Sequence, residues 1–270
     1  MIEFFQIMAL PFFVSLIFTG IHAYLGFHVI ERQVIFVDLA LAQIAVLGAS
    51  FALILGYELD SSQSYWLSLS FTIIGAAIFS VTRFKKQRIP QEAIIGVVYA
   101  VSAAFLIIIL SRSGEGDEHI RQALIGNILV VRVSEILKIA MIYVVIGFFH
   151  FCFRRQFFMI SSNLEEAFQK GLNVRFWDFL FYVSFGFVVT SSVKIAGVLL
   201  VFSYLIVPSV CAMLFSDHLR TRLLLGWGTG FLASVLGIIV SYYWDFPTGA
   251  SVVCVFGVIL TVLALFKKFF

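Results

Sequence analysis

Charge, proline and cysteine are all scarce in this sequence. Charged residues make up 12% of the 270 residues and hydrophobic residues 61%, whereas soluble domains carry about 25% charge. Only four prolines interrupt the apolar stretches, which favours long helices over the short alternating segments of a membrane β-barrel. Cys152, Cys211 and Cys254 lie far apart inside apolar runs, so they form no disulfide framework or metal-binding pattern. The composition predicts an all-α polytopic transmembrane helical bundle.

The apolar stretches are long enough for about nine transmembrane helices, since a spanning helix needs about 20 largely apolar residues. Eight are possible, because the first stretch and the pair at 176–215 are the least regular. Lys and Arg dominate alternate connections, such as 31–33, 83–92 and 153–175, and cytoplasmic loops carry this excess. The pattern predicts one transmembrane domain over 1–270, with the N-terminus outside and the C-terminus inside. The predicted spans are 11–30, 34–56, 66–82, 93–111, 135–153, 176–193, 195–215, 222–243 and 248–266.

Two of the predicted helices carry stripes of small residues at helical spacing. Such stripes let helix backbones approach closely in a membrane. We interpret them as packing faces within one bundle, with a role in lining a transport pathway as the alternative. The stripes are Gly226, Gly230, Ser234, Gly237 and Ser241 in one helix, and Ala45, Gly48, Ala49 and Ala52 in the other.

A hydrophilic stretch, SSNLEEAFQKGLN (161–173), interrupts the apolar sequence on the predicted cytoplasmic side. Ser162 followed three residues later by Glu165 is a capping-box pattern, which predicts a helix beginning near Asn163. Gly171 suits a left-handed C-terminal cap. This two-faced helix can lie on the membrane or dock in a partner's groove, and its chemistry favours neither. The apolar face comprises Leu164, Ala167, Phe168 and Leu172, and the polar face Glu165, Glu166, Gln169 and Lys170.

The same stretch contains EEAFQKG (165–171), which resembles the loop motif by which permeases of ATP-binding-cassette importers engage their ATPase. Other segments resemble, in family order, the signatures of one family of these permeases, those for zinc, manganese and iron. The segments are LGFHVIERQVIFVDLALAQIAVLGASFALILG (25–56), PQEAIIGVVYA (90–100), ALIGNILVV (123–131), IAGVLLVFSYLIVPSVCAMLFS (195–216) and SYYWDFPTGASVV (241–253).

The resemblance implies a permease subunit of a divalent-metal importer in the bacterial inner membrane, surrounded by membrane lipid and assembled as a homodimer. It implies two partners, an ATP-binding-cassette ATPase and an extracellular or periplasmic substrate-binding protein, and no nucleic acid. The sequence has no Gly-x-x-x-x-Gly-Lys-Ser/Thr phosphate loop, so ATP would be used by the separate subunit. The chain is therefore expected not to be an enzyme and to bind no cofactor itself. The implied coupling residues are Glu165, Glu166, Ala167 and Gly171.

The second predicted helix departs from this family at two positions. The family's pattern has an Asp and, four residues later, a His, which the resemblance implies form a metal site about midway through the membrane. Alignment on ALAQ (40–43) places Leu39 at the Asp position and Gln43 at the His position, near mid-depth. Leucine is no ligand, and an amide oxygen is a weak one for Zn²⁺ or Mn²⁺. Asp38 is adjacent in sequence but lies about 100° further round the helix.

The departure leaves the substrate open between a free zinc, manganese or iron ion and a non-metal or chelated substrate. It also leaves the metal ligands unassigned. The candidate pathway residues are Asp38, Leu39, Gln43 and Ser203, the last from the segment 195–216.

The predicted external connection GEGDEHIR (114–121) is rich in acidic residues between glycines. It can capture a cation or meet a binding protein, although a solvated loop is the simpler interpretation. The candidate residues in it are Glu115, Asp117, Glu118 and His119.

Three other histidines lie in or near predicted spans. His22 and His28 are six residues apart and so not on one helix face, and we interpret them as packing residues. His150 lies near the inner end of its span, where an interfacial position is expected.

Two other functional classes fit less well. A membrane-embedded enzyme would need convergent catalytic groups, but the chain has no His-Glu-x-x-His, no Gly-x-Ser-x-Gly and no acidic pair at helical spacing within a span. An ion-coupled secondary transporter usually shows broken helices in matched halves, and Pro11, Pro90, Pro208 and Pro247 do not pair in that way. Copurification of an ATPase would separate the permease from both classes.

Cysteine labelling of intact cells checks the predicted topology. We expect Ser113→Cys, in the external connection, to react with a membrane-impermeant reagent and Ser162→Cys, in the cytoplasmic stretch, to remain unlabelled, because the Lys and Arg excess lies on the inner side. Labelling at 162 without labelling at 113 would overturn the topology.

Overall fold

The computed structural model describes residues 2–58, 61–83, 89–111 and 125–269, and within these ranges the chain is helical and has no strand. This confirms the prediction of an all-α helical bundle. The helices are α1 (Ile2–Glu31), α2 (Val37–Ile54), α3 (Ser62–Val81), α4 (Gln91–Leu110), α5 (Val133–Cys152), α6 (Arg154–Ser162), α7 (Leu164–Gln169), α8 (Val174–Phe215), α9 (Leu219–Trp244) and α10 (Thr248–Phe269), with a 3-10 turn at Ile128–Val130 before α5.

Local sequence explains where several helices begin and end. Helix α3 begins four residues before the predicted span because Ser61 accepts a hydrogen bond from Ser64 N, and a capped helix extends to its cap. Helix α9 ends at Trp244 because Asp245 takes a left-handed conformation, with φ 52°. Pro247 then precedes the first residue of α10. The apolar pattern therefore located each span, and the polar residues at its ends set the limits.

Within the described residues, eight helices are long and apolar enough to cross a membrane. Seven of them correspond one to one with predicted spans, and α8, with 42 residues, covers the two spans predicted at 176–193 and 195–215. A straight helix of that length would be about 63 Å long, about twice the hydrocarbon thickness of a bilayer. The length of α8 therefore points to two segments.

A break at Gly197 divides α8. Gly197 has φ 74° and ψ 162°, a conformation essentially restricted to glycine. Ser192 lies 3.4 Å from His22 Nε2, and Ser209 Oγ donates to Ala23 O at 3.1 Å. In a straight helix Ser192 and Ser209 would lie about 25 Å apart, yet they contact adjacent residues of α1. The chain therefore reverses at Gly197, and 174–196 and 198–215 are each close to spanning length. The choice between eight and nine spans stays a prediction.

Contacts between residues divide the chain into two compact units, the first comprising residues 1–27, 124–144 and 192–270. In this unit the small-residue stripe of α9 is buried. A Cβ on Gly237 would lie 2.6 Å from Val252 Cα in α10, and one on Gly230 would lie 2.5 Å from Thr19 Cγ2 in α1. The stripe therefore brings backbones together, which confirms its interpretation as a packing face.

The second unit comprises residues 28–123 and 145–191. Helix α2 packs against α3 and α4. A Cβ on Gly48 would lie 2.8 Å from Ser68 Cα, so the stripe of α2 also serves close packing. Its neighbours Ala45 and Ala52 are buried. Close contact along this stripe fixes α2, which carries three of the candidate pathway residues.

A pair of glycines in α9 tests the packing of the first unit. We expect Gly237→Ala to lower the free energy of unfolding by about 1–3 kcal/mol, because the added methyl group overpacks the contact with Val252. A Cβ added at Gly228 would have no atom within 4 Å. Gly228→Ala is therefore the matched control and should be neutral or slightly stabilising. Thermal unfolding in detergent measures both. Equal losses of stability in the two variants would contradict close packing at Gly237.

Candidate functional site

The hydrophilic stretch 161–173 forms a short capped helix, as predicted, but the cap is one residue later than expected. Asn163 Oδ1 accepts a hydrogen bond from Glu166 N at 3.0 Å, and α7 begins at Leu164. Ser162 belongs to α6, and its hydroxyl donates to Phe158 O. The Ser162–Glu165 capping box is therefore wrong, because Ser162 is still helical and only Asn163 has the extended conformation that an N-cap requires.

The other end of α7 is held by Gly171, as predicted. Gly171 has φ 73°, its N–H donates to Phe168 O at 3.1 Å, and Leu172 N donates to Ala167 O at 3.0 Å. These two bonds form the Schellman arrangement that ends helices at a left-handed glycine. A helix of only six residues is marginal by itself, so the two caps are what define its length and direction.

The predicted coupling residues lie on different sides of α7. Ala167 is fully buried against Ile160 and Val174, with Leu164, Phe168 and Leu172 packed beside this cluster. Glu165 and Gly171 are exposed. Glu166 is partly exposed and pairs with Lys170 one turn later at 2.5 Å. The apolar face therefore packs on the chain itself, and the face with Glu165 and Glu166 is left open.

A buried ion cluster lies beside α7 in the second unit. Asp178, in the second turn of α8, is fully buried and pairs with Arg32 at 2.5 Å and with Arg83 at 3.5 Å. Arg32 Nε also donates to Ser161 Oγ at 2.8 Å, and the guanidinium stacks on Phe181, 3.9 Å from the ring centroid. One guanidinium thus binds residues on both sides of α7.

Electrostatics in this cluster are unusual because two cations share one carboxylate. Burial lowers the pKa of the Arg32 guanidinium, and the Asp178 charge opposes this shift; arginine stays protonated in proteins. Removing one partner of a buried pair costs about 3–5 kcal/mol, since it leaves an uncompensated charge. Asp178 is therefore the residue on which the cluster depends.

Sequence reasoning missed this cluster, although one signal was visible. Arg32 and Arg83 were counted as cytoplasmic charges by the positive-inside pattern, and Asp178 was not singled out. The stretch VRFWDFLFYV places one acid inside a predicted span, and an ionisable residue there usually has a partner or a function. Its arginine partners are more than 90 residues away in sequence, so spacing alone could not identify them.

The buried histidines are hydrogen-bonded packing residues. His22 Nδ1 lies 3.0 Å from Phe18 O, and His28 Nδ1 lies 2.8 Å from Ser161 Oγ, which agrees with their interpretation. His150 was expected at the membrane interface, and this stays a prediction. It is buried, stacks on Phe157 with ring centroids 4.3 Å apart, and contacts Ser184 Oγ at 2.8 Å, because α6 folds back and covers it.

The candidate pathway residues of α2 lie in the first half of the helix. Gln43 is six residues after Val37, about 9 Å along the axis, so it lies closer to the middle of this 18-residue helix than to its first residue. Its expected position near mid-depth in the membrane stays a prediction. Gln43 and Leu39 are partly exposed. Asp38 is fully buried, and among the described residues neither of its carboxylate oxygens has a hydrogen-bond partner. A buried carboxylate is costly unless a proton or a cation neutralises it.

The remaining candidates give less information about a site. The Ser203 hydroxyl donates to Leu199 O in its own helix. Glu115, Asp117, Glu118 and His119 lie outside the described residues. Among the residues that are described, no group of three or more His, Cys, Asp or Glu side chains is placed to hold a metal ion. The metal ligands therefore stay unassigned.

Comparison with known proteins gives a family and two relatives. The sequence model of the ABC 3 transport family matches residues 4–268. A manganese transport system membrane protein, MntC of Listeria innocua, is 28% identical over 210 residues, which cover 75% of this chain and 74% of that protein. A chelated iron transport system membrane protein, YfeD of Yersinia pestis, is 24% identical over 199 residues, covering 71% and 66%.

A solved structure shares the fold. The complex PsaBC from Streptococcus pneumoniae with Fab superposes with a TM-score of 0.79 over 97% of this chain and 95% of the matched chain, at 22% identity. The matched region therefore includes nearly the whole chain. The arrangement of helices around the capped helix α7 and the ion cluster thus belongs to a known membrane fold.

Proposed function

Because the chain belongs to the ABC 3 transport family, we propose that it is the permease subunit of an ATP-binding-cassette importer for a divalent metal ion. A separate ATPase binds the cytoplasmic helix α7 and drives transport. The permease works as a homodimer in the bacterial inner membrane and receives its substrate from an extracellular or periplasmic binding protein. In this function the chain contributes the pathway through the membrane, and ATP hydrolysis takes place on its partner.

The observation that carries this proposal is the structure of α7. Its apolar side is occupied by the cluster around Ala167, so that side is not free to enter a membrane or a groove. Its open side carries Glu165 and Glu166, and both ends are fixed by caps. An exposed acidic helix with fixed ends suits docking against a protein better than floating on lipid, where an apolar face must be available.

The substrate is proposed from the relatives and from Asp38. One relative carries the name of a manganese system, and carboxylate oxygens suit Mn²⁺. The carboxyl group of Asp38 is buried and has no hydrogen-bond partner in the part of the chain that the structure describes, which supports a cation as the transported species. A chelated metal is the second candidate, because no cluster of metal ligands occurs among the described residues and another relative is named for chelated iron.

Reconstitution tests the proposed function. We expect the tagged chain, purified from membranes of its native host, to bring an ATP-binding-cassette ATPase with it. In proteoliposomes this complex should accumulate radioactive Mn²⁺ when ATP is supplied, and a non-hydrolysable ATP analogue is the control. Uptake of a pre-formed chelate, but not of Mn²⁺, would favour the second candidate. ATP hydrolysis without uptake of either would contradict metal transport.

Two variants of Gly171 test coupling through α7. Gly171→Val should raise the ATP consumed per ion transported, because a β-branched residue does not tolerate the φ of 73° that caps the helix. Gly171→Asn is the matched control, since asparagine adopts the left-handed conformation readily, and it should transport normally. Both are measured as ATP hydrolysis against Mn²⁺ uptake. Normal coupling in Gly171→Val would exclude α7 as the docking element.

A charge reversal tests the docking face itself. Glu166→Lys should weaken ATPase binding and uncouple hydrolysis from transport, because it reverses the charge of the open side and places two lysines one turn apart. Lys170→Gln, which only breaks the Glu166–Lys170 pair, is the control and should have little effect, since exposed pairs contribute about 0–1 kcal/mol. Membrane insertion of both variants should be unchanged.

Substitutions of Gln43 test its place in the pathway. If Gln43 lines the pathway, Gln43→Ala abolishes Mn²⁺ uptake with little change in expression, and Gln43→His, which adds an imidazole ligand, shifts the preference among divalent ions. If Gln43 only packs between helices, Gln43→Ala lowers stability slightly, by about 0.6 kcal/mol, and spares uptake. Competition between Mn²⁺ and Zn²⁺ in the uptake assay measures the preference. Normal uptake by both variants would remove Gln43 from the pathway.

A further inference from the structure

The ion cluster contacts residues that precede and follow the docking helix α7 in the chain. Ser161 precedes the N-cap of α7 by two residues, and Asp178 follows the helix in the second turn of α8. Arg32 contacts both of them, through Nε to Ser161 at 2.8 Å and through Nη1 to Asp178 at 2.5 Å. The same guanidinium therefore holds the chain on both sides of α7.

Arg32 also lies in the short connection between α1 and α2. It is the first residue after α1, and Gln33, with φ 56°, ends the helix in a left-handed cap. Gln33 N donates to Ile30 O and Val34 N donates to Val29 O, which completes a Schellman arrangement. Val37 N then donates to Val34 O at 3.1 Å, so a short hydrogen-bonded turn leads directly into α2.

We propose that Arg32 is a positioning residue that transmits movement of α7 to α2, and this inference rests on the proposed function. When an ATPase moves α7, Ser161 and Asp178 carry the guanidinium with them. The hydrogen-bonded turn after Arg32 then displaces the first half of α2, where Asp38, Leu39 and Gln43 lie. The movement of the partner thus reaches the candidate pathway residues through one side chain.

The geometry of the guanidinium makes this link stiff. Charge-assisted hydrogen bonds are shorter and stronger than neutral ones, and the planar fork of arginine fixes two donors at a set angle. Stacking on Phe181 restrains the plane of the group. Apolar contacts have no preferred direction, so they can slide where this link cannot.

Arg83 provides a comparison within the same cluster. Its Nε lies 3.5 Å from the other carboxylate oxygen of Asp178, but it has no hydrogen bond to Ser161 among the described residues. It follows α3 in the chain and is not part of the turn that leads into α2. Arg83 therefore balances charge at Asp178 without joining the two sides of α7.

Substitution of Arg32 or Arg83 by lysine separates the effect of the double contact from the effect of the positive charge. Arg32→Lys keeps the cation but cannot reach Asp178 and Ser161 with a fixed fork, and Ser161→Ala removes the second contact directly. We expect each to raise the ATP consumed per Mn²⁺ transported about tenfold, since a hydrogen bond to a charged group changes an equilibrium by about that factor. The double variant should be no worse than either single one, because both break one link. Arg83→Lys is the matched control: it keeps a cation beside the buried Asp178, and Arg83 does not join the two sides of α7, so its ratio should stay close to that of wild type.

The ratio of hydrolysis to transport is the decisive measurement. A purely structural role would lower the amount of assembled complex but would leave the ratio per complex unchanged. A wild-type ratio in Arg32→Lys, or in Ser161→Ala if Arg32→Lys does not assemble, would overturn the inference while wild-type uptake still supports the proposed function. An equal rise in Arg83→Lys would also overturn it. Absence of Mn²⁺ uptake by the wild type would contradict the proposed function and the inference with it.

Discussion

Close contact between helix backbones is the constraint on which the rest of this structure depends. Lipid is as apolar as a leucine side chain, so burial of apolar surface gives helices in a membrane little reason to associate. The protein instead places glycine where two backbones meet, as at Gly48 against α3 and Gly237 against α10. At that separation dispersion contacts are numerous. These contacts fix helices such as α2 and α9 against their neighbours.

The buried charged residues lie among closely packed helices of this kind. Asp178 and Arg32 have no exposure to solvent, and taking two ions out of water costs several kcal/mol each. The pairing of Asp178 with two guanidiniums offsets part of this cost, and the contact with Ser161 satisfies a further donor. A hydrophobic cluster of similar volume would be at least as stable. This cost in stability is explained if the directional hydrogen bonds of Arg32 serve transport.

Local patterns predicted most of the fold and only part of the site. Apolar runs located the helices, and glycine at 171 predicted the left-handed cap, because both depend on neighbouring residues alone. The N-cap was placed at Ser162 instead of Asn163, since two adjacent polar residues compete for that position and the packing of α6 decides between them. The contacts of Asp178 with Arg32 and Arg83 join segments far apart in sequence, and no local pattern encodes such contacts.

The break at Gly197 has a consequence for how the protein is made. A short polar stretch, TSSVK (190–194), precedes the reversal, and the most apolar 18 residues of α8 have a mean hydropathy of 2.4. A translocon recognises hydrophobic segments by their length and the polar residues that separate them. Because this separator is only five residues long, we expect the two halves of α8 to be inserted into the bilayer together.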